Sequence, residues 1–366
     1  MKIIKKLSAV MMSLAILLSF AGCHKQGEIA VTVGDWEFTS AYYMCALMNA
    51  DGEARTKVDE ALAEESDGEE ETESEDEEET DYYSEKIDDK NFVDWVKDTA
   101  IENLEKIAAY KTLCEENELE ISEEDLSQVE SYADYYWNSY GYSTFYEPNG
   151  VGYETYKQYM TDSYYSGLYF EHLYGEGGEK EIAAETVKEK MVENFITANV
   201  LEASFTDLEE ADITTTKETF NGYVEALKNG TRTFEEIYKE HNGTTDEETT
   251  SEDTEDAPKD KYASVLGADD TTYESDYFDD AKDMAVGEVK LVELDDEAGL
   301  VIIVKQDITA DEYYLKNLDL SVRHLIADDE YDELIKKEAE KLGTEINKYA
   351  VNQFKVKKIE YPETTA

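Results

Sequence analysis

Four histidines, three cysteines and ninety carboxylates are the obvious chemical resources of this 366-residue chain. Their spacing excludes more than it nominates. Cys23, Cys45 and Cys114 form no C-x-x-C pair, so neither a thiol redox motif nor a zinc ribbon is available. No H-E-x-x-H, G-x-S-x-G or P-loop occurs. With so many Asp and Glu, close acidic pairs arise everywhere and nominate no glycosidase site. A calcium loop of the D-x-[DN]-x-[DN]-G form is also missing. His24, His172, His241 and His324 are scattered, the last three on helices or helix ends where surface positions are expected. No metal and no cofactor is therefore expected. The spacing that stands out is aromatic: thirteen of the 28 tyrosines lie between Tyr132 and Tyr174.

Charge narrows the partners. The formal net charge is −57, and only Arg55, Arg232 and Arg323 are arginines. Lys/Arg clusters, which release counterions from phosphate backbones, are few and no larger than three residues, so no nucleic acid is expected as a partner. Docking of a basic patch on an anionic membrane is excluded on the same ground. Hydrophobic residues at 41% and aromatics at 11% are too many for a wholly disordered acidic chain. The length suggests about two domains.

The first residues point to export. Lys2, Lys5 and Lys6 precede an uncharged run from Leu7 to Phe20, too short for an ordinary membrane span. Positions 1–22 read as a signal peptide. Phe20-Ala21-Gly22-Cys23 resembles a bacterial lipobox, with Phe20 where leucine is usual. That resemblance makes Cys23 the lipidation site, residues 23–28 a tether, and the location the outer face of the cell membrane. Cys45 and Cys114 fall on apolar faces of expected helices and read as buried small hydrophobes rather than a disulfide.

The elements that position these residues follow from periodicity. Ile29–Val33 and Trp36–Phe38 alternate around a Gly34-Asp35 turn, and Thr39 or Ser40 caps a helix through Tyr42, Tyr43 and Met48. Residues 59–90 hold 18 acidic side chains and are expected to be a solvated, mobile insertion. Helical spacing resumes over 92–114, after Ser122, over 156–174 and over 183–193. Phe195–Phe205 reads as a strand. Thr216–Lys228 and Thr233–His241 follow as helices, then a second acidic run over 242–261. A short helix from Phe278 and two strands, Val289–Leu294 and Leu300–Lys305, complete a β-α-α-loop-α-β-β order. From Thr309 to Phe354 the pattern is helical, with Gly343 ending one helix. The class is α+β. A mainly helical domain (29–193) is joined by C-terminal helices (308–354), a small α/β domain (194–307) is inserted between them, and 355–366 is a tail.

Together these segments resemble the extracytoplasmic parvulin-type foldases, the PrsA/SurA type. The resemblance runs over nearly the whole chain. It is carried by Val33-Gly34-Asp35-Trp36-Glu37-Phe38-Thr39, by Thr233-Phe234-Glu235-Glu236-Ile237, by the block Phe278 to Val289, and by Gly299-Leu300-Val301-Ile302-Ile303-Val304. It implies a SurA-N-like chaperone domain with an inserted parvulin-like domain, and unfolded or partly folded exported polypeptides as partners. The family's two facing active-site histidines align with Asn199 and Val301, so the catalytic centre is expected to be degenerate and peptidyl-prolyl isomerase activity weak or absent. The Gly-rich segment of the family is reduced to Val265-Leu266-Gly267, and the acidic run 242–261 occupies the place of the active-site Cys or Asp.

Under that resemblance the chaperone work falls to the helical domain. Tyr and Trp offer large, fairly rigid contact areas with a polar tip, suited to recognising many partners. The peptide-binding candidates are Phe38, Tyr42, Tyr43, Tyr135, Tyr136, Trp137, Tyr140, Tyr142, Phe145 and Tyr146. Filling the core between helices is the competing use of every one of them. Two other readings compete at the level of function. One is a surface scaffold or assembly lipoprotein with one specific partner. The other is a solute-binding lipoprotein, which needs two α/β lobes where the sequence offers one.

Overall fold

A computed structural model describes residues 27–66, 80–206, 208–243, 257–268, 271, 273–294 and 298–362. The expected signal peptide, Cys23, His24 and much of both acidic runs lie outside the described residues. The chain divides into two compact units. One is built from residues up to 173 together with residues from 330 onward, and the other from residues 174–329. The architecture is α+β, a helical unit formed from both ends of the chain with a sheet-containing unit inserted. The unit boundaries fall outside the sequence-based ones at 193/194 and 307/308, because the flanking helices bury their apolar faces in the inserted unit.

The first unit opens with a hairpin. Strands β1 (Ile29–Val33) and β2 (Trp36–Thr39) pair antiparallel, with Val33 opposite Trp36. The two-residue turn needs a positive φ, which Gly34 supplies at +57°. Helix α1 (Ser40–Ser66) follows, its first turn held by Tyr42 N–H donating to Thr39 Oγ1 at 3.3 Å. It runs into the acidic segment, and the segment's far end is structured too. Strands β3 (Lys86–Ile87) and β4 (Lys90–Asn91) form a small hairpin, and Tyr82 and Tyr83 lie against Phe92. The expectation of a solvated insertion over all of 59–90 is thus corrected at both ends. Its few apolar side chains, Tyr82, Tyr83 and buried Ile87, find a core. Asn91 caps α2 (Phe92–Glu116), and Ser122 caps α3 (Glu123–Asp134). A π-helical turn, Tyr135–Ser139, leads to α4 (Tyr142–Tyr146) and α5 (Tyr153–Tyr174).

The inserted unit begins with α6 (Ala184–Asn194), whose Val187 and Met191 bury against Phe195. Strand β5 (Phe195–Ser204) is central. Helices α7 (Glu210–Lys228) and α8 (Phe234–Asn242) follow, the second starting at a Thr233/Glu236 capping box. Strand β6 (Ala263–Gly267), helix α9 (Phe278–Lys282), and strands β7 (Val289–Glu293) and β8 (Gly299–Lys305) complete an antiparallel sheet of order β6-β5-β8-β7. Strand β6 has no counterpart among the sequence-based elements, where Val265-Leu266-Gly267 stands only for the reduced Gly-rich segment. Its short alternation is too weak to show before it pairs with β5. Leu201, Leu300 and Ile302 pack one sheet face on Phe220, Val224 and Ile237, and Val301 and Ile303 pack the other on Phe278 and Ala281. Helix α10 (Glu312–Asn317) adds Tyr314 to the core around Phe195.

Helix α11 (Asp319–Leu342) returns the chain to the first unit. The helical reading to Phe354 is then interrupted. Strand β9 (Thr344–Ile346) adds to β1, with Val31 opposite Ile346, and α12 (Lys348–Val351) is a single turn. Asn347 caps that turn and also donates to Ile29 O at 3.0 Å. The expected tail is docked up to the last described residues. Val356 and Ile359 are buried in the first unit's core, and Asn149 exchanges two hydrogen bonds with the Glu360 backbone. Among the described residues no helix is long and apolar enough to cross a membrane.

Candidate functional site

The tyrosine-rich segment of the first unit divides into an interior and a rim. Helix α3 ends in a turn where Tyr140 N–H donates to Tyr135 O at 3.1 Å, an i→i+5 bond. Such a turn holds one more residue than an α-turn and breaks the phase of the helix. Trp137 points inward, 6% exposed, while Tyr135 and Tyr140 are 53% and 66% exposed. Gly141 then reverses the chain at φ +81°, a region a Cβ would strain, and starts α4.

The outward rings touch one another. Tyr135 and Tyr140 have centroids 6.2 Å apart, and both meet half-buried Tyr136, at 5.6 and 5.8 Å. Tyr142 stacks on Tyr136 at 5.4 Å, and exposed Tyr132 leans on it at 6.5 Å. These five form a continuous aromatic ledge. Beneath it, Trp137 contacts Tyr146, Tyr153 and Tyr156, and Phe145 stacks on Tyr361 at 4.9 Å. Burial pushes the phenols of Tyr146 and Tyr156 well up. The Tyr153 phenol is raised by desolvation and by its hydrogen bond to Asp134.

Several candidates do not reach this surface. Phe38, Tyr42 and Tyr43 are core residues, at most 6% exposed, and are withdrawn as peptide contacts. The hairpin lays Phe38 on Tyr42 at 5.1 Å, and Tyr42 donates to Asp162 at 2.9 Å. Asp162 also pairs with Lys111 at 2.9 Å, so its buried charge is neutralised. Tyr43 packs on Phe354, and burial pushes its phenol to about 12. Trp137 is likewise interior, and Phe145 and Tyr146 support the ledge from below. Tyr132 was missing from the candidates. Its signal was the i, i+4 spacing of Tyr132, Tyr136 and Tyr140 along a capped helix.

In the inserted unit the structure does not bring Asn199 and Val301 together. Strand residues alternate faces, and the register sets Asn199 opposite Val304 and Val301 opposite Glu202. Asn199 therefore shares a face with Leu201, while Val301 is sealed with Phe278 and Met284 on the other. The Asn199 side chain is fully used. Its Nδ2 donates to Asp260 at 2.9 Å and its Oδ1 accepts from Gln306. Asp260 in turn accepts from Tyr262 N–H at 3.0 Å. Thr197, on the same face, is buried with its hydroxyl unpartnered.

The cysteines and histidines among the described residues are held by burial or by neighbours. Cys45 and Cys114 are free and buried. Burial raises both thiols, that of Cys114 to about 11. His172 stacks on Tyr169, His241 lies edge-on to Phe220, and His324 pairs with Asp328. Among the described residues no group of three or more His, Cys, Asp or Glu is arranged to hold a metal ion.

No family model and no curated protein matches the chain. Solved structures do. The foldase protein PrsA of Streptococcus pneumoniae matches at 14% identity and a TM-score of 0.40, over 69% of this chain and 87% of that one. PrsA of Lactococcus lactis matches at 15% and 0.38, over 69% and 86%. PrsA of Bacillus subtilis matches at 16% and 0.32, over 69% and 87%.

Proposed function

We propose that this chain is an extracytoplasmic, lipid-anchored chaperone of the foldase type that holds unfolded exported polypeptides on the helical unit. The observation that carries this reading is the tyrosine ledge, with Tyr132, Tyr135 and Tyr140 each at least half exposed in one connected patch. Side chains of that size are usually buried, and a contiguous exposed group marks a contact surface. Tyrosine suits transient binding, because two torsions order a large area that tolerates both apolar and polar partners. The reading also draws on the sequence resemblance and on the apolar run before Cys23, which supports an anchor outside the cytoplasm.

Prolyl isomerisation is not part of the proposal. Twisting a peptide bond faces a barrier of about 18–20 kcal/mol, which a preorganised polar pocket must lower. Here the one polar side chain at an aligned histidine position, Asn199, has both ends of its amide engaged, and Val301 lies in the opposite core.

The test is suppression of aggregation of a reduced, unfolded secreted enzyme. The mature protein is expected to suppress it, and the Tyr135→Ser/Tyr140→Ser variant to lose most of that effect while melting at the same temperature. Full suppression by the variant removes the ledge from the mechanism. A prolyl-peptide assay alongside is expected to show weak acceleration or none.

A further inference from the structure

Several cations among the described residues repeat one arrangement. Arg55 lies over the rings of Tyr82 and Tyr361, at 4.5 and 4.6 Å, and pairs with Asp51 at 2.9 Å. Lys111 sits 4.3 Å over Trp36 and 2.9 Å from Asp162. Lys157 covers Tyr153 at 5.5 Å and holds Glu130 at 3.0 Å. In the inserted unit, Arg232 covers Tyr223 at 5.6 Å and holds Glu240 at 2.7 Å. Lys261 lies 5.0 Å over Tyr262, whose hydroxyl donates to Glu235. A ring face and a carboxylate together make a favourable seat for a cation, because the ring quadrupole and the negative charge both attract it.

The ledge offers ring faces without a cation, on a strongly acidic stretch of the chain. Residues 112–156 contain eleven Asp or Glu and no Lys, Arg or His. Among the described residues, no Lys or Arg lies over the rings of Tyr132, Tyr135, Tyr136, Tyr140 or Tyr142. Lys157, just past this stretch, fills the nearest seat, at Tyr153. Asp134, next to Tyr135 in sequence, accepts from Tyr153, and exposed Glu147 directly follows α4.

We infer that the ledge selects extended polypeptide segments bearing arginine or lysine, whose cations stack on Tyr135 and Tyr140 beside the carboxylates of residues 112–156. This rests on the proposed chaperone reading and gives it a selectivity. Arginine is favoured over lysine, since its planar guanidinium stacks on a ring while donating to a carboxylate from its edge. Acidic segments are rejected by like charge.

The experiment uses a short labelled peptide with arginines at alternate positions and its citrulline counterpart, equal in shape but uncharged. Anisotropy titrations with the mature protein at physiological salt are expected to give about tenfold tighter binding of the arginine peptide. The Tyr135→Leu/Tyr140→Leu variant keeps the net charge and apolar area but loses the ring faces. Its preference is expected to fall to about twofold or less. A preference that survives intact in this variant overturns the inference, because the diffuse negative charge alone then explains it. Equal binding of both peptides by the unmodified protein overturns the inference and leaves client binding standing. Failure to bind either peptide, together with no suppression of aggregation, overturns the chaperone reading as well.

Discussion

The two units solve the same packing problem with different side chains. The helical unit's core sets Tyr42, Tyr43, Phe92, Trp95, Trp137 and Tyr156 among aliphatic side chains, and the partly buried margin packed on it is mostly aromatic. The sheet of the inserted unit is filled with aliphatic residues, and Leu300, Val301, Ile302 and Ile303 in a row are wholly buried. A phenol carries a hydroxyl that needs a partner or water, so a tyrosine core extends readily to a wet rim. That rim is the ledge. Aliphatic side chains make no such demand, and with them both faces of the sheet close. The lesson is about where function can reside. The sheet of the inserted unit is packed on both faces, and the helical unit keeps a patch of aromatic rings exposed.

The largest expected effect tests the two cores. Phe92→Ala should destabilise the helical unit by about 3–5 kcal/mol, and Ile302→Ala the sheet by about 2–5 kcal/mol. Trp36, Trp95 and Trp137 all belong to the first unit, so tryptophan fluorescence during urea unfolding reads it selectively. An unchanged midpoint for Phe92→Ala would show that the aromatic core is not what holds this unit.

Alkaline pH should separate the units next. Burial raises the phenols of Tyr43 and Tyr159 to about 12, and those of Tyr42, Tyr146 and Tyr156 also rise. An unfolded tyrosine titrates near 10. A raised pKa means the folded state keeps its protons longer. The stabilisation is therefore complete below about pH 10 and is lost as pH climbs through about 12. The inserted unit has fewer such groups, Tyr277 and Tyr314 at about 12 among them. Urea midpoints followed by tryptophan fluorescence should drop steeply over that window. A flat profile would mean the buried phenols carry little of the helical unit's stability.

The smallest effect concerns Asn199, a buried polar side chain in the sheet. Asn199→Ala leaves Asp260 and Gln306 without their partner and should cost about 1–3 kcal/mol, less than a core truncation. Far-UV circular dichroism on urea titration measures it. A larger loss would give the polar network more weight than the aliphatic faces around it.

Much of the fold was legible from local pattern. The β1–β2 hairpin, the cap at Ser122, and the alternation of β5, β7 and β8 all follow from neighbours in sequence. The candidate surface was legible in part. The cluster around Tyr135 was evident from composition, but which rings face out depends on the π-turn, which shifts the helical phase after Asp134. Phe38, Tyr42 and Tyr43 show the limit. Their spacing suits a contact surface or a core equally, and the burial of Tyr42 with Asp162, 120 residues away, decides for the core.

By itself the sequence determined the α+β class, the acidic surface, the absence of large basic clusters and the concentration of tyrosine in one segment. Those are properties of composition and short-range periodicity. Only the tertiary structure decided that β9 closes the first sheet, that the chain's end docks beside Asn149, and that Asn199 and Val301 face opposite sides. Each depends on strand register or on residues far apart in the chain. A shift of one residue in register would exchange the two faces, and no local pattern in a strand buried on both sides distinguishes them.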